Sequence, residues 1–308
     1  MKLTDLFRRK TKKPSSRRHR ARTAPLPAAV DASTIPLSDG QIQSALRGMR
    51  ITPQQIVVGC GQSVGKQRDH NEDSLVTFSI NIGSEGTPYP LGLFIVADGM
   101  GGHQYGEVAS SVAARTLAGH MLRKFHPNVV DGSQSVDEPL QDLMRTAITE
   151  AQRAVLQAAP GSGTTLTAVL VLGQQMIIGH VGDSRAYAVR ADGRTKALTR
   201  DHSLVKRLEE LGQLTPSEAA AYPQRNVLYR ALGQGEVLEP DIFTTQFPQP
   251  GYLLLCSDGL WSVVPDDSFA RIINEAPNLT SACQKLVAAA NDAGGPDNIS
   301  AILVQLLG

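Results

Sequence analysis

The pattern of apolar and polar positions predicts a strand-rich globular region that begins near Ile51. Continuous apolar runs of strand length at 91–97 and 252–256 predict buried strands. Shorter or alternating patterns predict further strands at residues 55–61, 74–80, 164–172, 175–181, 184–190 and 299–306.

Helical periodicity lies between these groups of strands. Residues 140–155 carry apolar side chains at helical spacing, which predicts an amphipathic helix. Helices are also predicted over 104–125, 266–274 and 281–293, with a loop at 127–138. Closely connected strands between paired helices indicate an α+β fold with helices packed outside antiparallel sheets.

The first 50 residues have a different composition. Residues 1–22 hold ten Lys or Arg and one acid, so they carry a net charge of +9, whereas the formal net charge of the whole chain is +1. Self-repulsion and few apolar residues predict a disordered tail and linker over 1–50, ahead of one domain over 51–308. The tail is compatible with a plain solubilising segment, a transit peptide, or an arm that touches a membrane surface, a nucleic acid or an acidic partner.

Three widely spaced cysteines, Cys60, Cys256 and Cys283, form neither a metal-finger pattern nor a disulfide framework. With no apolar run long enough for a membrane span and no signal-peptide core, they predict a cytoplasmic protein.

Acidic residues recur at the edges of the apolar strands. The positions are Asp98, Asp183 and Asp258 after predicted strands, and Glu72, Asp73 and Asp297 before them. If these edges converge, the carboxylates repel one another unless cations lie between them. Hard Mg²⁺ or Mn²⁺ prefers such oxygen ligands, although each Asp-Gly pair taken alone is equally typical of a turn.

Three other catalytic or ligand-binding motifs fit the sequence poorly. Gly65-Lys66 lacks the upstream glycine of a nucleotide-binding loop. Ser262 stands where a cysteine-dependent phosphatase needs its phosphate-binding Arg after Cys256. No Gly-x-Ser-x-Gly elbow is present.

Seven motifs in order, between Val57 and Leu307, resemble the metal-dependent protein phosphatases of type 2C, also called the PPM family, in its bacterial branch. They are Arg68-Asp-His-Asn-Glu-Asp-Ser74, Val96-Ala-Asp-Gly-Met-Gly-Gly102, Gly163-Thr-Thr165, Gly182-Asp-Ser-Arg185, Leu198-Thr-Arg-Asp-His202, Cys256-Ser-Asp-Gly-Leu-Trp261 and Gly295-Pro-Asp-Asn298.

The resemblance implies a four-layer α/β/β/α sandwich with two central antiparallel sheets. It also implies hydrolysis of phosphoserine and phosphothreonine in proteins by a water that two or three Mn²⁺ or Mg²⁺ ions activate. Asp98 would bridge two ions, and the Gly99 carbonyl would hold one of them. The remaining ligands would be Asp258 and Asp297 at the first site, Glu72 at the second, and Asp183 with Asp258 at a third.

The resemblance further implies that Arg68 binds the substrate phosphate and that Asp73 supports the ligands without binding metal. An ion pair of Arg68 with Asp69 or Glu72 is the alternative. Many eukaryotic members have a His, proposed as the general acid, where this chain has Met100. The general acid is therefore open; His103 is nearby in sequence, and a hydrogen-bonding role suits it better.

Residues 202–225 are predicted to form a flap beside the cleft that governs substrate access, or else a solvated helix pair. The expected partners are phosphoproteins, with a serine/threonine kinase among them, and the expected state is a monomer in a signalling role with no defined nucleic-acid function. Two non-catalytic alternatives are a scaffold with the same fold and an adaptor that docks through the basic tail. Five intact acids argue against the scaffold.

Overall fold

The computed structural model describes residues 54–81, 90–101, 105–131, 138–235 and 238–308, without the side chains of 126–131 and Ala220. The predicted tail over 1–50 and the motif residues Gly102 and His103 lie outside the described residues. Within the described part of the chain, no helix combines the length and hydropathy that crossing a bilayer requires.

Two antiparallel sheets form the centre of the domain. The first has the strand order β1-β11-β10-β7-β8. Its strands are β1 (Gln55–Ser63), β7 (Arg185–Arg190), β8 (Thr195–Ala197), β10 (Gly251–Cys256) and β11 (Ile299–Leu307).

The second sheet has the order β2-β3-β5-β6-β9, and a short strand, β4, pairs with the end of β3. Its strands are β2 (Asp73–Ile80), β3 (Leu91–Met100), β4 (Gly163–Thr164), β5 (Leu166–Leu172), β6 (Gln175–Val181) and β9 (Asp241–Gln246).

Helices cover the outer face of each sheet. The second sheet packs against α1 (Gly106–Asp131) and α2 (Leu140–Ala158). The first sheet packs against α6 (Phe269–Asn274) and α7 (Leu279–Asp292). Three short helices lie in connections: α3 (Leu204–Glu210), α4 (Pro216–Ala220) and α5 (Asp258–Trp261), and a 3₁₀ turn over Asp266–Ser268 precedes α6.

The position of strand β3 explains its continuous apolar sequence. Leu93 and Ile95 face the helices α1 and α2, whereas Phe94 and Val96 face the other sheet. A strand that is covered on both faces reads as a continuous apolar run. The third apolar cluster fills the space between the first sheet and α6 and α7. These three cores confirm the predicted four-layer α/β/β/α sandwich.

Several local predictions were wrong. Strand β3 continues to Met100, so Asp98 lies within the strand, and Asp258 begins a helix; neither Asp-Gly pair is a turn. The helix α1 continues to Asp131, past residue 127 where a loop was predicted to begin, because local propensity is only a weak guide to where a helix ends. Strands β8 and β9 were missed, since an edge strand lacks a continuous apolar run.

Candidate active site

The end of the β2–β3 ladder brings two predicted site residues together. Asp73 and Asp98 are directly paired across the two strands. The Asp98 backbone is fixed on its other side, because its N–H donates to Thr165 Oγ1 at 2.9 Å and its carbonyl accepts from the Thr165 N–H at 2.9 Å. The backbone of Asp98 is thus fixed by two hydrogen bonds to Thr165, and this positions its side chain.

Gly99 lies in a tight crossing of three segments. Its N–H donates to the Glu72 carbonyl at 3.1 Å, and a Cβ at Gly99 would overlap the carbonyl of Gly106. A Cβ at Gly106 would in turn overlap the Glu72 carboxylate. Glycine at both positions therefore lets Glu72 and the start of α1 approach the end of β3.

Asn298 joins the segment that carries Glu72 to the segment that carries Asp297. Its Oδ1 accepts from the Glu72 N–H at 2.8 Å, and its Nδ2 donates to the carbonyls of Val64 and His70 at 2.8 and 2.9 Å. Its own N–H donates to Asp297 Oδ1 at 2.8 Å. The side-chain amide and the backbone N–H of one buried residue thus contact two predicted metal ligands that are distant in sequence.

Asp183 follows β6 and is held through its backbone. Trp261 Nε1 donates to the Asp183 carbonyl at 3.0 Å, and the Arg185 guanidinium stacks 3.5 Å above the Trp261 ring. Arg185 also makes a two-pronged ion pair with Asp201 at 2.9 and 2.7 Å. These contacts tie the loop after β6 to α5, the helix that begins at Asp258.

Asp73 differs from the other acids because hydroxyl groups hold its carboxylate. Ser257 Oγ and Ser300 Oγ each donate to Asp73 Oδ2 at 2.7 Å. Burial raises the pKa of Asp73 to about 7, and the two hydroxyls act in the opposite direction. Asp73 is committed to these bonds through one oxygen, as expected of a residue that supports the ligands.

The clustered carboxyl groups raise one another's pKa values. Loss of solvent contact, together with the charges of Asp73 and Asp258, holds the pKa of Asp98 well above its ordinary range. The same two effects, desolvation and the Asp258 charge, do so for Asp183. Desolvation and the Asp297 charge raise the pKa of Asp258 to about 6, against a hydrogen bond with Asp98. Clustered acids of this kind favour either protons or cations.

The donor set fits hard divalent cations. Among the described side chains, Asp73 Oδ1 and Asp258 Oδ1 are buried oxygens without a hydrogen-bond partner. Together with the raised pKa values of Asp98 and Asp183, they mark carboxylates that lack compensation from protein donors. A cavity of about 300 Å³ is lined by Glu72, Asp98, Gly99, Asp183, Asp258 and Asp297, whereas Asp73 does not line it. All six predicted metal-binding residues therefore surround one space.

Arg68 also lines this cavity, but its partner differs from both alternatives that the sequence left open. Its Nη2 donates to Asp297 Oδ2 at 2.6 Å, while about half of the Arg68 side chain stays exposed. The charge of Asp297 and this bond raise the pKa of Arg68. The guanidinium is thus anchored at the rim with part of its surface directed to solvent.

Two further side chains near Glu72 escaped the sequence analysis. Atoms of His70, Glu72 and Glu107 lie within 4.8 Å of one another and could hold a cation. Glu107 lies at the start of α1 and not beside an apolar strand, so the pattern that indicated the other acids does not include it. Met100 lines the cavity at the position where a general acid was considered.

Comparison with known proteins places this site in a family. A family model described as Protein phosphatase 2C matches residues 59–299. The chain is 34% identical over 247 residues to the serine/threonine phosphatase stp of Listeria welshimeri, across 78% of this chain and 92% of that relative. It is 34% identical over 244 residues to the protein phosphatase PhpP of Streptococcus pneumoniae, across 79% and 94%.

Solved structures give the same result. The serine/threonine phosphatase PstP of Mycobacterium tuberculosis superposes with a TM-score of 0.67 at 31% identity, over 82% of this chain and 99% of that one. A PstP catalytic domain in complex with two manganese ions gives 0.66 at 29% identity, over 83% and 100%. The chain therefore belongs to the protein phosphatase 2C family, as a bacterial-type, metal-dependent enzyme that dephosphorylates serine and threonine in phosphoproteins.

Proposed function

We propose that the six oxygen donors around the cavity hold two or three Mn²⁺ or Mg²⁺ ions, and that Arg68 binds the phosphate of the substrate. The observation that carries this proposal is the convergence of acids with raised pKa values on one space. A site made only of oxygen ligands suits these hard cations.

Asp98 is the proposed bridging ligand, because it lies between the two groups of acids. On one side its carboxyl contacts Asp258, beside Asp297. On the other side, Glu72 is bound to the adjacent Gly99 through the backbone. Asp183 with Asp258 is the proposed third site, supported by the raised pKa that each acid shows.

Bound cations would lower the pKa of a water and offset the charge on the phosphoryl oxygens. Arg68 would orient the phosphate, since its planar guanidinium can donate to two oxygens at once. Asp297 holds one edge of this group, so the guanidinium is oriented before substrate arrives. No side-chain nucleophile is required: Cys256 is fully buried, and burial raises the pKa of its thiol.

The thioether of Met100 has no proton to give, so the leaving alcohol takes its proton from water or from another group in the cleft. The segment 202–225, which includes α3 and α4, is proposed to act as the flap that governs substrate access. Its residues Val205, Lys206 and Ala219 line a second cavity beside the acids, and this placement supports the role.

The remaining proposals concern the wider setting. A serine/threonine kinase is proposed among the phosphoprotein substrates, and the enzyme is proposed to be a monomer. Three free cysteines support a reducing, cytoplasmic compartment. Residues 1–50 are proposed as a tail outside the catalytic domain. Retention of all six ligand positions counts against a non-catalytic scaffold with the same fold.

Metal removal tests the function. Purified protein should release phosphate from a phosphothreonine peptide when Mn²⁺ or Mg²⁺ is present. Excess chelator should abolish release, because without a cation the site has no Lewis acid to activate a water. Phosphate release is measured before and after Mn²⁺ is restored. Undiminished turnover in chelator would contradict the metal-dependent site, and absence of turnover with every divalent cation would favour the scaffold.

Arg68→Ala should lower kcat/KM for the peptide by roughly 10- to 100-fold, the effect of losing charge-assisted hydrogen bonds. The kcat/KM of Arg68→Lys should lie between those of the wild type and Arg68→Ala, because Lys keeps the positive charge but lacks the planar guanidinium. Mn²⁺ affinity should not weaken in either variant, since Arg68 competes with cations for Asp297. The matched control is Arg194→Ala, which removes an exposed Arg paired with Asp192. Wild-type kinetics in Arg68→Ala would reject the phosphate-binding role.

The stability of the metal-free protein should fall as pH rises from 6.5 to 8. Asp73, with a folded-state pKa of about 7, and Asp98 and Asp183, whose pKa values lie well above normal, bind protons that the unfolded chain has lost. The stabilisation they provide is therefore present at low pH and is lost as pH rises through these values. His180, with a pKa lowered to about 4, opposes this trend only below about pH 6.5.

Urea unfolding in chelator across pH 6.5–8 measures this slope. Asp73→Asn should flatten it, because it removes one of the titrating acids while keeping the size of the side chain. Saturating Mn²⁺ at pH 8 should restore the lost stability. A metal-free stability that rises over this range would show that the acids are not mutually destabilising.

A further inference from the structure

A second cavity, about 540 Å³ in volume, adjoins the acidic cleft. Arg68, Asp183, Asp258 and Asp297 line both spaces, so a molecule whose phosphate enters the acidic cleft has direct access to the larger cavity. Its volume lies within the range of about 300–1,000 Å³ that is typical of ligand pockets.

Apolar side chains line part of the larger cavity, beside charged residues that are mostly paired with one another. Val205 on α3 and Ala219 on α4 contribute from the flap. Trp261 and Val263, at the end of α5 and just after it, contribute from the opposite side. Both are packed against the apolar cluster beneath the first sheet, so this side of the cavity is rigid.

The cations in the lining are Arg68, Arg185, Lys206 and Arg225, and the first three are each bound by a carboxylate. Arg185 is bound by Asp201 through two hydrogen bonds, and Lys206 Nζ lies 2.6 Å from Glu209 Oε2. A charged ligand group would have to break one of these pairs or lose its hydration uncompensated, which is costly. An apolar group would break none of these pairs and would gain from burial against Val205, Ala219 and Val263.

We propose that this cavity binds an apolar side chain of the substrate protein, on a residue that flanks the phosphorylated serine or threonine. The proposal rests on the catalytic role of the acidic cleft described above. Two residues of extended chain span roughly 7 Å, so a residue close in sequence to the phosphorylated one can reach the adjoining cavity while the phosphate stays in the cleft. The enzyme therefore selects substrates by the apolar character of a near neighbour.

A series of phosphothreonine peptides tests this preference in the wild-type enzyme. Each of the three positions on either side of the phosphothreonine carries Ala, Leu, Lys or Glu in turn, in an otherwise constant polar background. At one position or more, the Leu peptide should exceed the Ala peptide in kcat/KM by about tenfold, the discrimination that a few buried methylenes provide. Equal rates for Leu and Ala at all six positions, or a preference for Lys or Glu over Leu, would overturn the proposal.

A matched pair of variants locates the preference. Val205→Phe fills the cavity from α3, and the ratio of the Leu to the Ala peptide should fall towards one. Val227→Phe makes the same change at an exposed valine of the same region that does not line the cavity, and it should keep the wild-type ratio. The ratio of two peptides cancels any loss of activity that both share. A ratio that Val205→Phe leaves unchanged, or that both variants lower equally, would place the selectivity elsewhere.

Hydrolysis of p-nitrophenyl phosphate by the wild-type enzyme separates this proposal from the catalytic one. That substrate has no flanking residues, so its Mn²⁺-dependent turnover reports the acidic cleft alone. Turnover of p-nitrophenyl phosphate with flat peptide ratios would contradict the cavity and leave the cleft intact. Loss of Mn²⁺ dependence for this substrate would instead contradict the cleft.

Discussion

The Asp258 charge raises the pKa of three other buried or partly buried acids, Asp73, Asp98 and Asp183, and folding has to hold all four together against that repulsion. Like charges that share a small space out of bulk water are costly unless protons or cations compensate them. The rest of the domain can be understood as the framework that meets this cost. Four layers and three apolar cores supply the stability, and the ends of the central strands supply the positions at which the acids meet.

Neutral groups do most of the positioning. Ser257 and Ser300 hold Asp73, and the indole of Trp261 holds the backbone of Asp183. Asn298 accepts from the Glu72 N–H through its side chain and donates to Asp297 through its backbone N–H. Each of these groups donates or accepts without adding charge, so the negative potential of the cleft is preserved for cations. Arg68 and Arg185, the basic groups beside the acids, are each bound by a carboxylate. These contacts hold the groups around the cleft in place, and such preorganisation favours electrostatic catalysis.

Much of this architecture could be predicted from the sequence, for identifiable reasons. Strands such as β3, buried on both faces, leave an unmistakable apolar run, and the acids at their ends were therefore visible as a set. Edge strands such as β9 and the ion pair of Arg68 with Asp297 could not be found in this way, because they depend on contacts between distant segments. Glu107, which lies beside Glu72, was missed for the same reason: 35 positions separate the two, and only the folded chain joins them.

Replacement of Asp98 by Asn shows whether catalysis depends on cations held by the clustered acids, because it keeps the size of the side chain and removes the charge on which the proposed bridging role depends. Thermal melting, calorimetric Mn²⁺ titration and peptide turnover are measured on the same preparation. We expect a folded protein that, in chelator at neutral pH, is at least as stable as the wild type, since one repelling acid has become neutral. We also expect impaired Mn²⁺ binding and a loss in turnover on the order of 10³-fold or more. A folded Asp98→Asn protein with near-normal Mn²⁺ affinity and turnover would contradict the bridging role of Asp98.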